Sequence, residues 1–148
     1  KKVLEMAEPY GIGELPYLFL QTSRKLRIFS GILSKDELLK WLYNLRIDNI
    51  GLYFASVDDS GIRLSLDAVH LLAEQINGNV LEISDGQAEK WFRGSEIELN
   101  EDNKKEIEKK AVKEGFIILK NKDDFIGTGK LTKTLILNYL PKERRIRN

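Results

Sequence analysis

The first third of the chain alternates short apolar runs with polar turns, which predicts a helix, a hairpin and a second helix. Residues 1–10 form the first helical pattern, and apolar runs at 17–21 and 26–30 flank a polar turn. Ser34 and Glu37 have the capping-box spacing that opens a helix. The apolar side chains that follow share one helical face: Leu38, Trp41, Leu42 and Leu45.

After this part the pattern changes to short strands separated by tight turns. Two helices interrupt them, one at residues 66–76 and one that begins after Ser84, where Gln87 completes a second capping box. The long crossover helices of a parallel sheet are missing, so the pattern favours a small mixed barrel. The predicted strands are residues 50–57, 62–64, 80–83, 116–120, 125–130 and 134–139.

We therefore expect an α+β protein with a small α/β unit at residues 1–48 and a barrel at residues 49–148. Residues 100–115 are highly charged, and the favourable i, i+4 pairs Glu101–Lys105 and Glu106–Lys110 predict a solvated helix there. The alternative for this segment is a mobile insertion.

The composition narrows the chemistry. The 148 residues include no cysteine and a single histidine, His70. This excludes a disulfide, a thiolate zinc site, a cysteine nucleophile and a histidine-rich metal site in this chain. No apolar run approaches the ~20 residues that span a bilayer. We expect no cofactor, metal or membrane association, a cytoplasmic setting and, since the sequence does not open with Met, a start inside a longer chain.

A glycine pair inside one predicted strand, in the segment FIGTGK at residues 125–130, is the first candidate site. It has the Gly-Lys of a phosphate-binding P-loop, but the upstream glycine is missing and a strand rather than a helix follows. Gly127 and Gly129 instead predict a bulge or bend, with Gly129 expected at positive φ. Such a bulge also exposes backbone N–H groups beside Lys130, a suitable place for a phosphate.

Carboxylate catalysis is the enzyme hypothesis that the sequence leaves open. Asp58-Asp59 and Asp123-Asp124 are adjacent acid pairs, but both lie where hairpin turns are expected, and aspartate is common in turns. Catalysis by these acids would require them to converge in one pocket. His70 lies next to the apolar face of a predicted helix, which favours a packed or half-exposed histidine over a general base. We expect no enzyme activity.

Charge is uneven along the chain, although its net value is only +1. Residues 82–102 carry seven acids against two bases, whereas the segment from Lys120 to the C-terminus carries eight bases against three acids. A basic patch is the usual footprint of phosphate-backbone binding. Arg24, Lys25 and Arg27 in the first hairpin extend this patch if they face the same way. The alternative is a solvated basic tail without a partner.

Three segments between residue 49 and Arg145 carry a resemblance: IGLYFASVDDSGIRLSLDAVHLLAEQI, NVLEISDGQAEKWFRGSEI and GFIILKNKDDFIGTGKLTKTLILNYLPKERR. They resemble the PUA domain superfamily, and most closely the PUA-like domain of Sun-type RNA cytosine-5 methyltransferases and stand-alone archaeal relatives. The resemblance implies a mixed β pseudo-barrel with short flanking helices that binds structured RNA through a helix–strand cleft and basic loops. It also implies a shorter connection than residues 100–115. The matching positions are Arg93, Gly94, Gly127, Gly129, Lys130, Pro141 and Lys142.

Methyltransferase activity is not implied, because such enzymes attack the base through a cysteine that this chain lacks. We predict an RNA-binding protein that recognises tRNA or rRNA by phosphate and shape and is accessory to an RNA-modifying enzyme. The alternative is a protein-interaction or assembly module in ribosome biogenesis or translation that uses the acidic residues 82–102. The candidate RNA-binding residues are Arg93, Gly127, Gly129, Lys130, Lys133, Lys142, Arg144 and Arg145.

Overall fold

The computed structural model of the chain describes residues 1–29, 34–45 and 51–147, without the side chains of residues 41, 42, 44 and 45. The predicted helical face at Trp41, Leu42 and Leu45 and the predicted boundary between residues 48 and 49 therefore lie outside the described residues. The helices are α1 (Lys2–Ala7), α2 (Lys35–Leu45), α3 (Leu66–Leu71), α4 (Asp85–Phe92) and α5 (Glu101–Lys110). Glu8–Tyr10 and Lys142–Arg144 are 3₁₀ helices.

The strands form two sheets. They are β1 (Leu18–Thr22), β2 (Lys25–Phe29), β3 (Leu52–Asp58), β4 (Gly61–Leu64), β5 (Val80–Glu82), β6 (Ile97–Glu98), β7 (Gly115–Asn121), β8 (Asp124–Leu131) and β9 (Leu135–Asn138). The first sheet has the order β1-β2-β3-β4 and is antiparallel throughout. The second has the order β5-β7-β8-β9-β6, is parallel only between β5 and β7, and curls into a half-barrel. This mixed α+β architecture confirms the predicted fold class.

The first sheet joins the early hairpin to the strands that follow it. Leu26 of β2 lies opposite Ala55 of β3, and Arg27 lies opposite Tyr53. The predicted division of the chain into residues 1–48 and 49–148 stays a prediction, and strand pairing runs across it.

The core of the second sheet is organised around Trp91, which is fully buried. Ser84 and Gln87 form both hydrogen bonds of the predicted capping box and fix the start of α4, so the indole projects onto the sheet. There Trp91 Nε1 donates a hydrogen bond to the Ile126 carbonyl at 3.2 Å. Gly94 follows the helix at φ +90°, the left-handed conformation that favours glycine.

The charged segment after β6 is the predicted helix, α5, rather than a loose insertion. Its Glu106–Lys110 ion pair is present as predicted, whereas Glu101 pairs with Lys104 at 2.9 Å instead of Lys105. The helix is attached by Asn103, which is only 3% exposed and accepts a 2.7 Å hydrogen bond from the Gln87 side chain.

Buried contacts between polar groups join the two sheets. The Tyr10 hydroxyl lies 2.9 Å from the Ile62 carbonyl of β4 and 3.1 Å from the Phe116 carbonyl of β7, and it donates to them. Burial raises the pKa of this tyrosine. The Thr128 hydroxyl of β8 donates to the Leu64 carbonyl at 2.9 Å.

Among the described residues, no helix is both long enough and apolar enough to cross a membrane.

Candidate nucleic-acid interface

The glycine-containing strand β8 has an irregular register, as its sequence predicts. Leu119 pairs with Gly127 but Lys120 pairs with Phe125, so Ile126 is an extra residue in the ladder. Gly127 has φ +156°, and a Cβ there would lie 2.9 Å from the Trp91 ring. The bulge therefore admits the indole, and the bulge prediction is confirmed.

Gly129 is required for a different reason from the expected one. It is not among the described glycines with positive φ, so that part of the prediction is wrong. A Cβ at this position would lie 2.6 Å from Ile136 Cγ2 and 2.9 Å from the Leu137 carbonyl oxygen. The requirement comes from the close approach of β9, which the chain sequence alone does not reveal.

The face of β8 opposite Trp91 turns toward the first sheet. Because side chains alternate along a strand, Lys130 lies on the same face as Thr128. Its ammonium group donates to Ser60 Oγ at 3.1 Å and sits 5.5 Å from the centre of the Phe116 ring. Lys130 is thus held at the seam between the two sheets with its charge only partly covered.

Cations and aromatic rings continue along this seam. The Phe116 and Tyr139 rings meet edge to face, with centroids 5.9 Å apart. On Tyr139 the Arg63 guanidinium carbon lies 4.6 Å from the ring centre, a cation–π geometry. Lys130, Phe116, Tyr139 and Arg63 therefore form a continuous cation–aromatic row that spans both sheets.

A cleft of ≈ 250 Å³ opens beside this row, between β4 and α3 on one side and β8 and the C-terminal segment on the other. Arg144 lies at the cleft and pairs with Asp67 at 2.9 Å, with both side chains about half exposed. Glu143 also lines it. Its lining includes Arg63, Asp67, Gly127, Tyr139, Glu143 and Arg144.

The three lysines among the candidate RNA-binding residues lie in different parts of the structure. Lys130 is at the seam, and Lys142 is exposed on the 3₁₀ helix that runs on to Arg144. Within the described residues, no carboxylate lies within salt-bridge distance of either lysine. Lys133 lies in the β8–β9 turn, where the neighbouring Thr134 carbonyl accepts a hydrogen bond from the Leu99 amide at 3.0 Å. It is therefore near the acidic segment rather than the cleft.

Arg93 and Arg145 form a separate group at the end of α4. Arg93 pairs with Glu89 at 2.9 Å. Arg145 donates to the Leu140 carbonyl at 3.0 Å and crosses Gly94 so closely that a Cβ there would lie 2.7 Å from its Nη1 atom. These contacts attach the C-terminal segment to α4. Of the predicted residues, Gly127 and Arg144 line the cleft, Lys130 lies in the row beside it, and Lys142 lies between the lining residues Pro141 and Glu143 in the chain. Arg93, Gly129, Lys133 and Arg145 do not line the cleft.

The candidate catalytic acids do not converge. Asp58 and Asp59 lie at the exposed β3–β4 turn, where the Asp58 carboxylate accepts from the Ser60 amide at 2.7 Å. Asp123 and Asp124 lie at the exposed β7–β8 turn. His70 is exposed and its Nε2 donates to the Phe125 carbonyl at 3.0 Å. The carboxylate pocket that the enzyme hypothesis requires is therefore not formed by these four residues.

The basic segment also contains a lysine that pairs with one of the acids of residues 82–102. Lys122 pairs with Asp85 at 3.0 Å. A hydrogen bond from the Asn121 amide and the nearby Lys122 ammonium together hold the pKa of Asp85 below its ordinary range. Lys122 is thus committed to the surface near α4.

Sequence reasoning missed three residues that line the cleft, Tyr53, Arg63 and Tyr139, and it missed Phe116 in the row beside the cleft. Tyr139 stands inside the segment NYLPKERR, but only the basic residues of that segment signalled a nucleic acid. Arg63 belongs to β4, and no local pattern indicates that it stacks on the tyrosine that follows β9. The row exists only because the two sheets pack together.

A curled five-stranded sheet with one helix packed on its inner face and a cleft on its outer side has the architecture of a small pseudo-barrel. Residues 78–146 match the family model described as Methyltransferase RsmF PUA domain. The match covers all five strands of the second sheet, so this part of the chain is similar to a PUA domain, which confirms the resemblance seen in its sequence. No curated protein matches the chain at a significant level.

Proposed function

We propose that the chain is an RNA-binding protein that recognises structured RNA, such as tRNA or rRNA. Recognition depends on contacts to the phosphates and on the shape of the folded RNA. The family match supports an RNA-binding domain of the RNA methyltransferase type. The observation that carries the proposal is the cation–aromatic row along the seam. Lys130 belongs to this row, Arg144 lines the cleft beside it, and the exposed Lys142 lies two residues before Arg144.

Charge at the seam suits a polyanion. Lys130 and Lys142 have no carboxylate partner among the described residues, so their charges are open to phosphates. Arg144 has one, Asp67, but the pair is half exposed and holds the guanidinium at the cleft. Each phosphate that a cation neutralises releases counterions, which makes RNA binding weaken steeply with salt.

The same arrangement supports a role accessory to RNA modification. A binding module that holds RNA by its backbone leaves the bases accessible to another active site. We propose that the reacting group is supplied by an RNA-modifying enzyme, since the nucleophilic cysteine of cytosine-5 methyltransferases is absent from this sequence. Ribosome biogenesis and a cytoplasmic setting are compatible with such a role.

A salt titration tests the proposal. Binding of a fluorescein-labelled tRNA by fluorescence polarisation should give a linear plot of log K against log salt, with a slope of about −0.7 to −0.9 per phosphate contact. The double variant Lys130→Ala with Lys142→Ala should bind more weakly and reduce the slope by about two.

The matched control is Lys105→Ala with Lys109→Ala, which removes two exposed lysines from α5 and leaves the seam intact. It should change the slope far less. Equal losses in both double variants would contradict the position of the interface. A slope near zero for the wild-type protein would instead favour the protein-interaction module.

A further inference from the structure

The cleft contains groups that phosphate binding does not use. Asp67 and Glu143 place two carboxylates among its lining residues. Arg144 engages only Asp67 Oδ1, and Glu143 makes no hydrogen bond or ion pair within the described part of the chain. A carboxylate repels a phosphate, so the interior of this cleft is suited to a different part of an RNA molecule.

Carboxylate oxygens accept hydrogen bonds and do not donate them when ionised. The groups of RNA that donate to such oxygens are the ring N–H and the exocyclic amino groups on the pairing edges of the bases. These edges are free only where a base is unpaired. The acids at the cleft therefore indicate a base with N–H donors and disfavour one that presents mainly carbonyl oxygens.

Stacking surfaces beside the acids indicate the same ligand. Tyr139 is 38% exposed and carries the Arg63 guanidinium against its ring. Aromatic rings and guanidinium planes are the surfaces on which proteins stack unpaired bases. Tyr53 adds another aromatic ring to the lining.

We propose that this cleft binds a single unpaired nucleobase, stacked on the Tyr139–Arg63 pair, whose N–H donors face Asp67 and Glu143. Guanine fits best, because its ring N–H and amino group are adjacent donors that one carboxylate can accept together. The volume of ≈ 250 Å³ lies below the ~300–1,000 Å³ of pockets for larger ligands, which suits one base. The inference rests on the proposed RNA binding and adds base selectivity to it.

The experiment compares four hairpin RNAs of identical stem sequence: one fully paired, and three with a single bulged guanosine, inosine or uridine. Polarisation with the full chain should show the tightest binding for the bulged guanosine. Inosine lacks the 2-amino group and should bind less tightly, and uridine should approach the fully paired stem. Base stacking predicts an advantage of about five- to hundredfold for guanosine over the fully paired RNA.

Two variants locate the base. Tyr139→Ala should remove the advantage of the bulged guanosine while the salt slope stays unchanged, and Tyr139→Phe should keep it; Tyr43→Ala, at a tyrosine that is 88% exposed on α2, is the control. Glu143→Gln should narrow the gap between guanosine and inosine, whereas Glu74→Gln, at another exposed acid, should not.

The possible failures are distinguishable. Equal binding of all four RNAs with a normal salt slope would overturn the base site and leave the phosphate-binding function standing. A preference for uridine would overturn the role assigned to the carboxylates. Absence of binding to any of the RNAs at low salt would overturn both proposals together.

Discussion

The two faces of β8 pack against different parts of the molecule, although their residues alternate within one short segment. On the inner face, Gly127 and Gly129 leave room for the Trp91 ring and for Ile136. On the outer face, Thr128 donates to Leu64 and Lys130 extends along the seam to Phe116 and Ser60. One face completes the core of the second sheet, and the other meets the first sheet at the cleft.

The two faces separate the packing role of the glycines from the side of the strand that faces a ligand. Gly127 and Gly129 are required because the Trp91 ring and Ile136 lie against them. The ligand-facing side depends on what packs against the outer face, and that is the first sheet, whose strands lie outside the matched residues 78–146. Substitutions on the two faces should therefore have different consequences.

The largest expected effect is on the inner face, with Gly129→Val. The new side chain would collide with Ile136, the Leu137 carbonyl and the Trp91 ring. Overpacking of this kind costs up to about 3 kcal/mol, which corresponds to a fall in Tm on the order of 10 °C. Thermal unfolding followed by circular dichroism measures it.

The control for that substitution is Gly86→Val in α4, since a Cβ at Gly86 meets nothing within 4 Å. Its Tm should stay close to that of the wild-type protein. If Gly129→Val melted at the wild-type temperature, the close approach of β9 to this glycine would not exist in solution.

An intermediate effect is expected on the outer side of the sheet, with Tyr10→Phe. The variant leaves the Ile62 and Phe116 carbonyls without their buried hydroxyl donor, which should destabilise the fold by about 1–3 kcal/mol. Tyr43→Phe, at an exposed tyrosine, is the matched control and should be neutral. Denaturant unfolding gives both values, and equal stability of the two variants would contradict a contact between the sheets through Tyr10.

The same residue predicts a dependence on pH. Burial raises the pKa of Tyr10 in the folded state above the value of about 10 in the unfolded chain. Its contribution is therefore fully present below about pH 10 and is lost as pH rises toward the folded-state pKa. The stability difference between the wild-type protein and Tyr10→Phe should narrow above that pH. A difference that stayed constant would show that the hydroxyl ionises equally in both states.

The smallest effects distinguish two neighbouring arginines. Arg145→Ala removes the bond to the Leu140 carbonyl and the packing over Gly94, which should cost about 1 kcal/mol and leave the salt slope of RNA binding unchanged. Arg144→Ala removes a half-exposed ion pair, worth less than about 1 kcal/mol, and should reduce the slope by about one. The reverse pattern would place the RNA on the α4 side of the molecule.

Much of the fold could be read from local patterns. The capping boxes at Ser34 and Ser84 predicted the starts of α2 and α4. In such a box, two side chains three positions apart accept hydrogen bonds from free backbone N–H groups at the helix N-terminus. The β6 strand was missed, since Ile97–Glu98 is too short to show a period. For Gly129 the predicted glycine requirement stands, but its reason is an atom of β9 rather than the local backbone.

The site was less predictable for a physical reason. The net charge of a segment is the sum of its residues, so the excess of basic residues near the C-terminus could be counted from the sequence. Lys130, Lys142 and Arg144 could be proposed as RNA-binding residues from that count. Whether a cation is open or neutralised depends on its neighbours in space. Arg93 pairs with Glu89 within its own helix, whereas Arg144 meets Asp67, which is distant in sequence.

The sequence by itself determined the strand and helix periods, the glycine-containing strand with its bulge, and the accumulation of positive charge near the C-terminus, because each depends on neighbouring residues or on composition. Only the tertiary structure decided that Arg63 stacks on Tyr139 and that Lys130 reaches Ser60. It also decided that two acids line the cleft beside them. Such contacts join residues of different sheets, and the distances between them are set by how the sheets pack, which no local pattern of residues encodes.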